Sequence, residues 1–268
     1  MPVMCSAKQV ACAAGGDFSD FADPLNPEPD PLPEHRRAVV FDLDGTLVDT
    51  GAEIAAAVNR TLTEFGLPAQ PESLIFGFIG AGTRTTLQRT LDHLCERDGV
   101  CVNERCRAAM LPRLDAHYGD VAGSIAQPYP GALAALHALR LGGIKLACLT
   151  NKEDAHARKV LQGTGLLDAF HFVVGGDRLP HPKPHPEAMR HVLTALAGEA
   201  SEAAHVGDSA TDVEAARAAG VEAWFVPWGY TGGRPDAGRD AHRHFTGLPE
   251  VADFVLSANR EQGCRLAA

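Results

Sequence analysis

The chain has 268 residues, a formal net charge of −10 and 45% hydrophobic residues. This length suits one large or two linked domains with a substantial core, and no apolar run is long enough to span a bilayer. The negative charge disfavours nucleic-acid binding, which depends on clustered Lys and Arg. We therefore expect a small-molecule protein with no nucleic-acid or membrane partner, in which a local positive site meets any anionic ligand.

The N-terminal segment is predicted to lie outside the fold. Residues 1–36 are expected to form a disordered leader, because residues 23–34 carry five prolines among acidic residues. The segment lacks the basic start and apolar run of a secretory signal, so we expect a cytoplasmic protein. Seven cysteines, with no Cys-x-x-Cys pair among them, favour reduced thiols, as is typical of that compartment.

Strand and helix patterns follow one another along the rest of the chain. The apolar run at residues 38–41 predicts the first strand. An all-helical block comes next, with helices predicted at residues 52–65, 83–97 and 104–118. Further strands are predicted at residues 144–149, 170–174, 203–206 and 223–226. Helices between or after them are predicted at residues 131–141, 155–163, from 186 onward and 210–219.

This alternation predicts an α/β fold. Strands that alternate with helices imply a Rossmann-like parallel sheet flanked by helices and joined by right-handed crossovers. The all-helical block is predicted to be a cap domain inserted soon after the first strand. The α/β core is expected to comprise residues 37–48 and 127–258, the cap residues 49–126, and a C-terminal tail residues 259–268.

The first candidate site directly follows the first predicted strand. Asp42 and Asp44 are separated by one residue, and Gly45 then lets the chain turn. Open α/β folds place their chemistry at the C-terminal edge of the sheet. Asp42 can therefore act as a nucleophile that forms an aspartyl-phosphate, and Asp44 as a proton donor and acceptor. The alternative is an ordinary Asp-Gly turn.

Two polar motifs follow later predicted strands. Thr150 and Asn151 can hold phosphate oxygens through the Thr hydroxyl and adjacent amides, although on their own they are more typical of a turn cap. Lys183 lies between two prolines, which stiffen its backbone and direct an ammonium group toward a transferred phosphoryl group. The alternative for Lys183 is an exposed position in a Pro-rich loop.

Asp208 and Asp212 form the last motif. Asp208 ends a predicted strand and Asp212 follows one helical turn later, although Ser209 and Asp212 could merely form a capping box. Beside Asp42 and Asp44 they would crowd one sheet edge, where each carboxylate pair at ~4 Å costs about 4 kcal/mol at an effective dielectric of about 20. Protons or a cation must offset this repulsion, and an all-oxygen site favours Mg²⁺.

The order of these motifs resembles the haloacid dehalogenase-like phosphohydrolase superfamily. Asp-x-Asp-Gly-Thr, Thr-Asn-Lys, Lys-Pro and Gly-Asp-Ser-x-x-x-Asp occur in that order within about residues 37–230. Within the superfamily the chain is similar to the bacterial phosphoglycolate phosphatases, with supporting stretches at residues 129–131, 175–177, 183–186 and 228–230. The resemblance implies a Mg²⁺-dependent phosphatase that hydrolyses 2-phosphoglycolate.

The resemblance also implies a role for each acidic residue. Asp42 attacks phosphorus, and Asp44 protonates the leaving alkoxide and then activates the hydrolytic water. Thr46 orients Asp44 and its loop. Mg²⁺ is held by Asp42, the backbone carbonyl of Asp44 and Asp208, while Asp212 orients Lys183 or a water on the ion.

Two groups of residues are expected to bind the substrate. By the same resemblance, the phosphoryl oxygens are held by Thr150, Asn151 and Lys183. The cap would close over the site and exclude water, and its candidate contacts are Gly80, Gly82 and Arg84. The glycines let backbone amides approach an anion, and Arg84 can pair with the carboxylate of glycolate.

Other functions stay open. A phosphatase acting on a sugar phosphate or another small ester is the main alternative. A phosphomutase is less favoured because residues 51–59 lack the His usual there, a dehalogenase would not need Asp44, and a binding protein would typically have lost Asp42 or Asp44. His171, His181 and His205 have no ligand spacing and are expected to be structural. The protein is predicted to be a monomer or a homodimer.

Overall fold

The computed structural model of the protein describes residues 35–266. Most of the predicted leader, residues 1–34, lies outside the described residues. His35 and Arg36 belong to the fold, because the Arg36 side chain is buried and forms an ion pair with Glu222. The Arg36 backbone also exchanges hydrogen bonds of 2.8 and 2.7 Å with the Asn259 side chain. The folded chain therefore begins before the predicted boundary at residue 37.

The described residues form eight strands and nine α-helices besides short 3-10 turns. The strands are β1 (Ala38–Phe41), β2 (Val48–Asp49), β3 (Gln127–Pro128), β4 (Lys145–Leu149), β5 (Phe172–Val174), β6 (Ala203–Gly207), β7 (Glu222–Phe225) and β8 (Arg243–His244). The helices are α1 (Gly51–Glu64), α2 (Glu72–Phe76), α3 (Thr83–Asp98), α4 (Glu104–Val121), α5 (Ala132–Leu141), α6 (Asp154–Gly163), α7 (Pro186–Leu196), α8 (Ala210–Ala218) and α9 (Leu248–Leu266).

Six of these strands form a parallel sheet in the order β5-β4-β1-β6-β7-β8. In the central strand β1, Val39 and Phe41 join an apolar cluster with α5, α6 and α9, while Ala38 and Val40 join a cluster with α7 and α8 on the opposite face. Successive side chains of a strand point to opposite faces, so a short apolar run can serve both layers. The predicted Rossmann-like sheet flanked by helices is confirmed.

Helices α1 to α4 lie between β2 and β3 and share an apolar cluster of their own, which includes Val58, Leu91 and Leu114. Strands β2 and β3 pair antiparallel, with Val48 opposite Pro128. The two chain segments that enter and leave the helical insertion therefore run side by side. The sequence analysis missed this ribbon and the five-residue helix α2, because such short elements show no periodicity.

The prediction of reduced thiols is wrong for two cysteines. Cys95, near the end of α3, forms a disulfide with Cys101, which precedes α4. Gly99 lies between them with a left-handed φ of +69° and turns the chain back toward the helix. Cys106, Cys148 and Cys264 are free, and burial raises the pKa of the Cys148 thiol above its usual value.

The prediction that the chain from residue 259 is a tail outside the core is also wrong as far as residue 266. Helix α9 continues to Leu266, and its apolar face, including Val251 and Val255, is buried against the sheet and α5. Asn259, on the same helix, binds the Arg36 backbone. No helix between residues 35 and 266 is both long enough and apolar enough to cross a membrane.

Candidate active site

The turn after β1 places Asp42 and Asp44 at the C-terminal edge of the sheet. The Asp42 backbone N–H donates to the Val206 carbonyl of β6 at 2.9 Å. Gly45 has a left-handed φ of +85°, and a Cβ there would collide with the Asp208 carboxylate. Glycine is therefore required both for the backbone conformation and for the close approach. Both aspartates are buried, with exposed fractions of 6% and 8%.

Lys183 lies between two of the buried carboxylates. Its Nζ is 2.9 Å from Asp42 Oδ1 and 2.6 Å from Asp212 Oδ1, and it donates to the Leu149 carbonyl at 2.7 Å. Burial opposes the charged form, but the two carboxylates outweigh it and raise the pKa of Lys183 above its usual value. The lysine is therefore a fixed positive charge at the sheet edge.

Asp42, Asp208 and Asp212 form a compact acidic group. Each offers one carboxylate oxygen, and these oxygens lie within 4.8 Å of one another. Burial, only partly offset by Lys183, raises the pKa of Asp42 to about 7. Burial and repulsion from the other two carboxylates raise the pKa of Asp208 well above its usual value. A divalent cation would relieve both effects, so this all-oxygen donor set fits Mg²⁺.

Asp208 is held by two neighbouring loops. The Thr46 hydroxyl donates to Asp208 Oδ1 at 2.9 Å, and the Tyr230 backbone N–H donates to Oδ2 at 2.7 Å. Gly229 lets the second loop approach, because a Cβ there would overlap the Asp208 carboxylate. Thr46 was expected to orient Asp44, but the side chain that it binds is Asp208.

Asp212 both caps helix α8, as a capping box would, and contacts Lys183 in the site. Its Oδ2 accepts from the Ser209 backbone N–H at 3.1 Å and from the Ser209 hydroxyl at 2.5 Å, which caps α8. Its Oδ1 contacts Lys183 and also lies 3.1 Å from His205 Nε2. Although burial acts in the opposite direction, Lys183 and His205 hold the pKa of Asp212 below its usual range.

His205 was expected to be structural, and the structure places it in contact with Asp212 of the site. Its ring bridges the Asp212 carboxylate and the Val40 carbonyl of β1, the latter at 3.1 Å from Nδ1. Burial lowers the pKa of the imidazole. The sequence carried no signal for this contact, because it depends on the register between β1 and β6.

Asp44 has two side-chain partners. One of its oxygens accepts from the Thr50 hydroxyl at 2.6 Å, and the fully buried Lys152 Nζ lies 2.8 Å away. The Lys152 ammonium also lies 4.4 Å from the ring centroid of Tyr118 in α4. Burial opposes its charge, but Asp44 and Tyr118 raise the pKa of Lys152 above its usual value. Sequence analysis quoted Lys152 within a motif but gave it no role.

Thr150 and Asn151 lie at the end of β4, beside Asp42 and Asp44 in a narrow cavity. The Asn151 Nδ2 group donates to the Lys183 carbonyl at 2.9 Å, which fixes the loop that carries the lysine. Its Oδ1 is buried and has no hydrogen-bond partner. Thr150 and Asn151 therefore lie beside the two aspartates as predicted, and Asn151 Oδ1 can still accept a hydrogen bond.

The cap forms the opposite wall of this cavity. Its lining residues there are Ile54, Ile79, Gly80, Gly82, Thr83 and Thr86. A Cβ at Gly82 would lie 2.7 Å from the Asn151 carbonyl, so only glycine lets the cap loop come this close to β4. The predicted cap contacts Gly80 and Gly82 therefore do face the sheet edge.

Arg84, the third predicted cap contact, does not line this cavity. Its guanidinium pairs with Asp115 at 2.6 Å and with Glu153 at 3.3 Å, and about half of its side chain is exposed. Thr83, the preceding residue, lines the cavity instead, and its buried hydroxyl has no hydrogen-bond partner. Thr83 is also the first residue of α3, whose N-cap residue Gly82 supplies no side-chain hydrogen bond.

Comparison with known proteins gives consistent matches. Residues 39–226 match the family model of the haloacid dehalogenase-like hydrolases. The plasmid-encoded phosphoglycolate phosphatase of Cupriavidus necator is 41% identical over 215 residues, which cover 76% of this chain and 87% of that protein. The phosphoglycolate phosphatase of Rhodospirillum rubrum is 38% identical over 232 residues, or 87% of this chain and 95% of that protein.

Solved structures match over the same region. The crystal structure of a predicted phosphoglycolate phosphatase from Haemophilus somnus superimposes with a TM-score of 0.76 at 28% identity, over 81% of this chain and 96% of that one. A putative phosphoglycolate phosphatase from Lactobacillus delbrueckii has a TM-score of 0.72 at 22% identity, over 82% of this chain and 98% of that one, and supports the fold alone.

Proposed function

The chain belongs to the haloacid dehalogenase-like hydrolase family, and we propose that it hydrolyses 2-phosphoglycolate to glycolate and phosphate through an aspartyl-phosphate on Asp42. As a member of this family with relatives at about 40% identity, it is a phosphoric monoester hydrolase. The observation that carries the proposal is the group formed by Asp42, Lys183 and Asp208, of which Asp42 also lines the cavity between core and cap. The names of the relatives supply the choice of ester.

Asp42 acts as the nucleophile in this proposal. Lys183 at 2.9 Å fixes its carboxylate and offers positive charge where the phosphoryl group is transferred. A carboxylate oxygen of Asp42 forms a bond to phosphorus as the bond to the glycolate oxygen breaks. The departing oxygen takes a proton from Asp44, which lines the same cavity.

The second step restores the enzyme. Asp44 removes a proton from a water molecule, whose oxygen attacks the phosphorus of the aspartyl-phosphate and releases inorganic phosphate and the Asp42 carboxylate. Lys152 and Thr50 keep Asp44 in place during both transfers. Thr150 and the Asn151 side chain are proposed to contact the phosphoryl oxygens.

Mg²⁺ is the proposed cofactor. Asp42, Asp208 and the backbone carbonyl of Asp44 would hold it, with Asp212 beside them and already bound to Lys183. The bound ion supplies positive charge that offsets the phosphoryl group and keeps the buried carboxylates ionised. Thr46 keeps Asp208 in position through its hydroxyl.

We assign recognition of the substrate carboxylate to Thr83 and the first backbone amides of α3. The cations near the cavity are already engaged, because Lys183 and Lys152 bind the aspartates and Arg84 binds Asp115. The start of α3 leaves backbone N–H groups without intrahelical partners, which favours an anion. The Thr83 hydroxyl adds a donor at the same place.

The shape of the cavity favours a short substrate over a sugar phosphate. Ile54 and Ile79 form apolar walls, and the close approach of Gly82 to the Asn151 carbonyl narrows the space between cap and core. We propose a small phosphorylated metabolite as the partner, with no nucleic acid and no membrane, a cytoplasmic location, and a monomer or homodimer as the working state.

A panel of phosphate esters tests the proposed function. We expect 2-phosphoglycolate to be hydrolysed with a far higher kcat/KM than sugar phosphates when Mg²⁺ is present, and no turnover with a chelator. Asp42→Asn should abolish turnover, whereas Asp253→Asn, at an exposed position on α9, should not. Equal rates across the panel would contradict the assignment of the ester, and turnover by Asp42→Asn would contradict the nucleophile.

A further inference from the structure

We propose that Tyr230 is a positioning residue that ties the cap hinge to Asp208 and Asp44. The hinge is the segment Asp49-Thr50-Gly51, where the chain leaves β2 and begins α1. The inference rests on the proposed function only in treating Asp44 and Asp208 as the proton-transfer and metal-binding carboxylates. Residues 228–230 entered the sequence analysis only as a stretch that supports the resemblance.

The backbone of Tyr230 is anchored on the acidic group. Its N–H donates to Asp208 Oδ2 at 2.7 Å, and the following N–H, of Thr231, lies 3.4 Å from the same oxygen. Gly229 makes this approach possible, since any side chain there would overlap Asp208. The position of Tyr230 is therefore coupled to the position of the Asp208 carboxylate.

The phenol of Tyr230 reaches the hinge. Its Oη donates to Asp49 Oδ1 at 2.5 Å and accepts from the backbone N–H groups of Thr50 at 2.9 Å and Gly51 at 2.6 Å. Backbone N–H groups at the start of a helix need an acceptor from outside the helix. Tyr230, which is about 180 residues away in the chain, supplies one.

Thr50 connects the hinge to Asp44. It precedes the first residue of α1, where a Thr hydroxyl ordinarily caps the helix. Here the hydroxyl donates to Asp44 Oδ1 at 2.6 Å, and no side chain caps α1 from the N-cap position. Thr50 is thus held by Asp44 through its side chain and by Tyr230 through its backbone.

The tyrosine ring also contacts the cap. It lies 6.0 Å from the Phe76 ring of α2, and it packs against the apolar cluster of the cap helices. One residue of the core therefore contacts Asp208, the hinge and the cap interior. A change in the hinge that moved α1 would break the phenol contacts and release Thr50, and with it one of the two side-chain partners of Asp44.

Tyr230→Phe tests this role, because it removes Oη but keeps the ring and the backbone N–H on Asp208. We expect kcat to fall about tenfold, as for the loss of one or two orienting hydrogen bonds. The Mg²⁺ concentration for half-maximal rate should stay within about twofold, since the Asp208 contact remains. Amide hydrogen exchange at residues 49–54 should become faster, a readout that needs neither substrate nor metal.

Phe76→Leu is the matched control, because it loosens the ring packing and keeps the phenol. It should lower Tm but leave kcat near the wild-type value, although the Phe76 ring also packs on Gly51. Unchanged kcat and exchange in Tyr230→Phe, or the same fall in kcat in Phe76→Leu, would overturn the proposal. Rates are measured with whichever ester the wild type hydrolyses fastest, so failure of the phosphoglycolate assignment would be recognised separately.

Discussion

Thr83 and Arg84 show how neighbouring residues divide between the site and the surface. Sequence patterns identified the residues at strand ends, because parallel strands bring Asp42, Thr150 and Asp208 to one edge. They did not identify Lys152 or Thr83, whose positions depend on contacts between the cap and the core. Arg84 looked suitable by charge, but it lies one residue farther along α3 and faces Asp115.

Thr83→Val tests recognition of the substrate carboxylate. The loss of one hydroxyl donor should lower kcat/KM for 2-phosphoglycolate about tenfold, the usual effect of a hydrogen bond to a charged group. The rate with ethyl phosphate, which has no carboxylate, should not change. Thr90→Val is the control, because that hydroxyl binds the Thr86 carbonyl within the same helix. Arg84→Ala should leave KM nearly unchanged.

The result for Thr83→Val is decisive when the two esters are compared. Equal losses with 2-phosphoglycolate and ethyl phosphate would contradict a carboxylate contact. A large increase in KM for 2-phosphoglycolate in Arg84→Ala, with no effect of Thr83→Val, would restore the original assignment to Arg84.

At the scale of elements, the hinge is the part that sequence analysis could not foresee. The long helices α1, α3 and α4 were predicted near their observed bounds, because their apolar spacing is clear over several turns. The ribbon of β2 and β3 has two residues in each strand, and its pairing joins segments about 80 residues apart. The contact of Asp49 with Tyr230, and those of Glu53 with the residues just before β3, depend on the folded structure.

Glu53→Gln tests the contacts between α1 and the segment before β3. The buried Glu53 carboxylate of α1 accepts from the backbone N–H groups of Gly123, Ile125 and Ala126 at 3.1, 2.8 and 2.9 Å. In the Gln variant an amide NH2 group would face at least one of these backbone N–H groups, so that a hydrogen bond is lost. The free energy of unfolding should therefore fall by about 1–3 kcal/mol in urea denaturation.

Glu64→Gln is the control for Glu53→Gln, because it removes a more exposed carboxylate at the other end of α1. Its cost should stay below about 1 kcal/mol. Equal losses in the two variants would show that the contacts of Glu53 have no special part in holding α1 to the segment before β3.

For the whole molecule, the alternation of strands and helices was sufficient to predict the α/β architecture. Its outer limits were not predicted well. Arg36 belongs to the fold because Glu222 and Asn259 bind it, and α9 continues through most of the expected tail. Both corrections come from contacts between residues far apart in the chain, which a local pattern cannot show.

The response of stability to pH and Mg²⁺ is a property of the whole molecule. Burial raises the pKa of Asp42 from 3.8 to about 7, so between these values the folded protein holds a proton that the unfolded chain has released. Without metal, this group makes stability fall as pH rises through that window. Mg²⁺ competes with the proton, so the increase in Tm at a fixed Mg²⁺ concentration should be larger at pH 8 than at pH 6.

Asp42→Asn is the comparison for the effect of pH, because it removes the titrating carboxylate. Its Mg²⁺-dependent increase in Tm should be smaller and should depend less on pH. An increase in the wild type that is larger at pH 6 than at pH 8 would contradict binding of the ion by these carboxylates.

Rapid acid quenching during turnover of 2-phosphoglycolate, followed by peptide mass spectrometry, tests the central claim most directly. We predict a peptide containing Asp42 that carries the mass of one phosphoryl group, appears before steady state and is absent from Asp42→Asn. A phosphoryl group on another residue, or an equal signal in Asp42→Asn, would contradict Asp42 as the nucleophile.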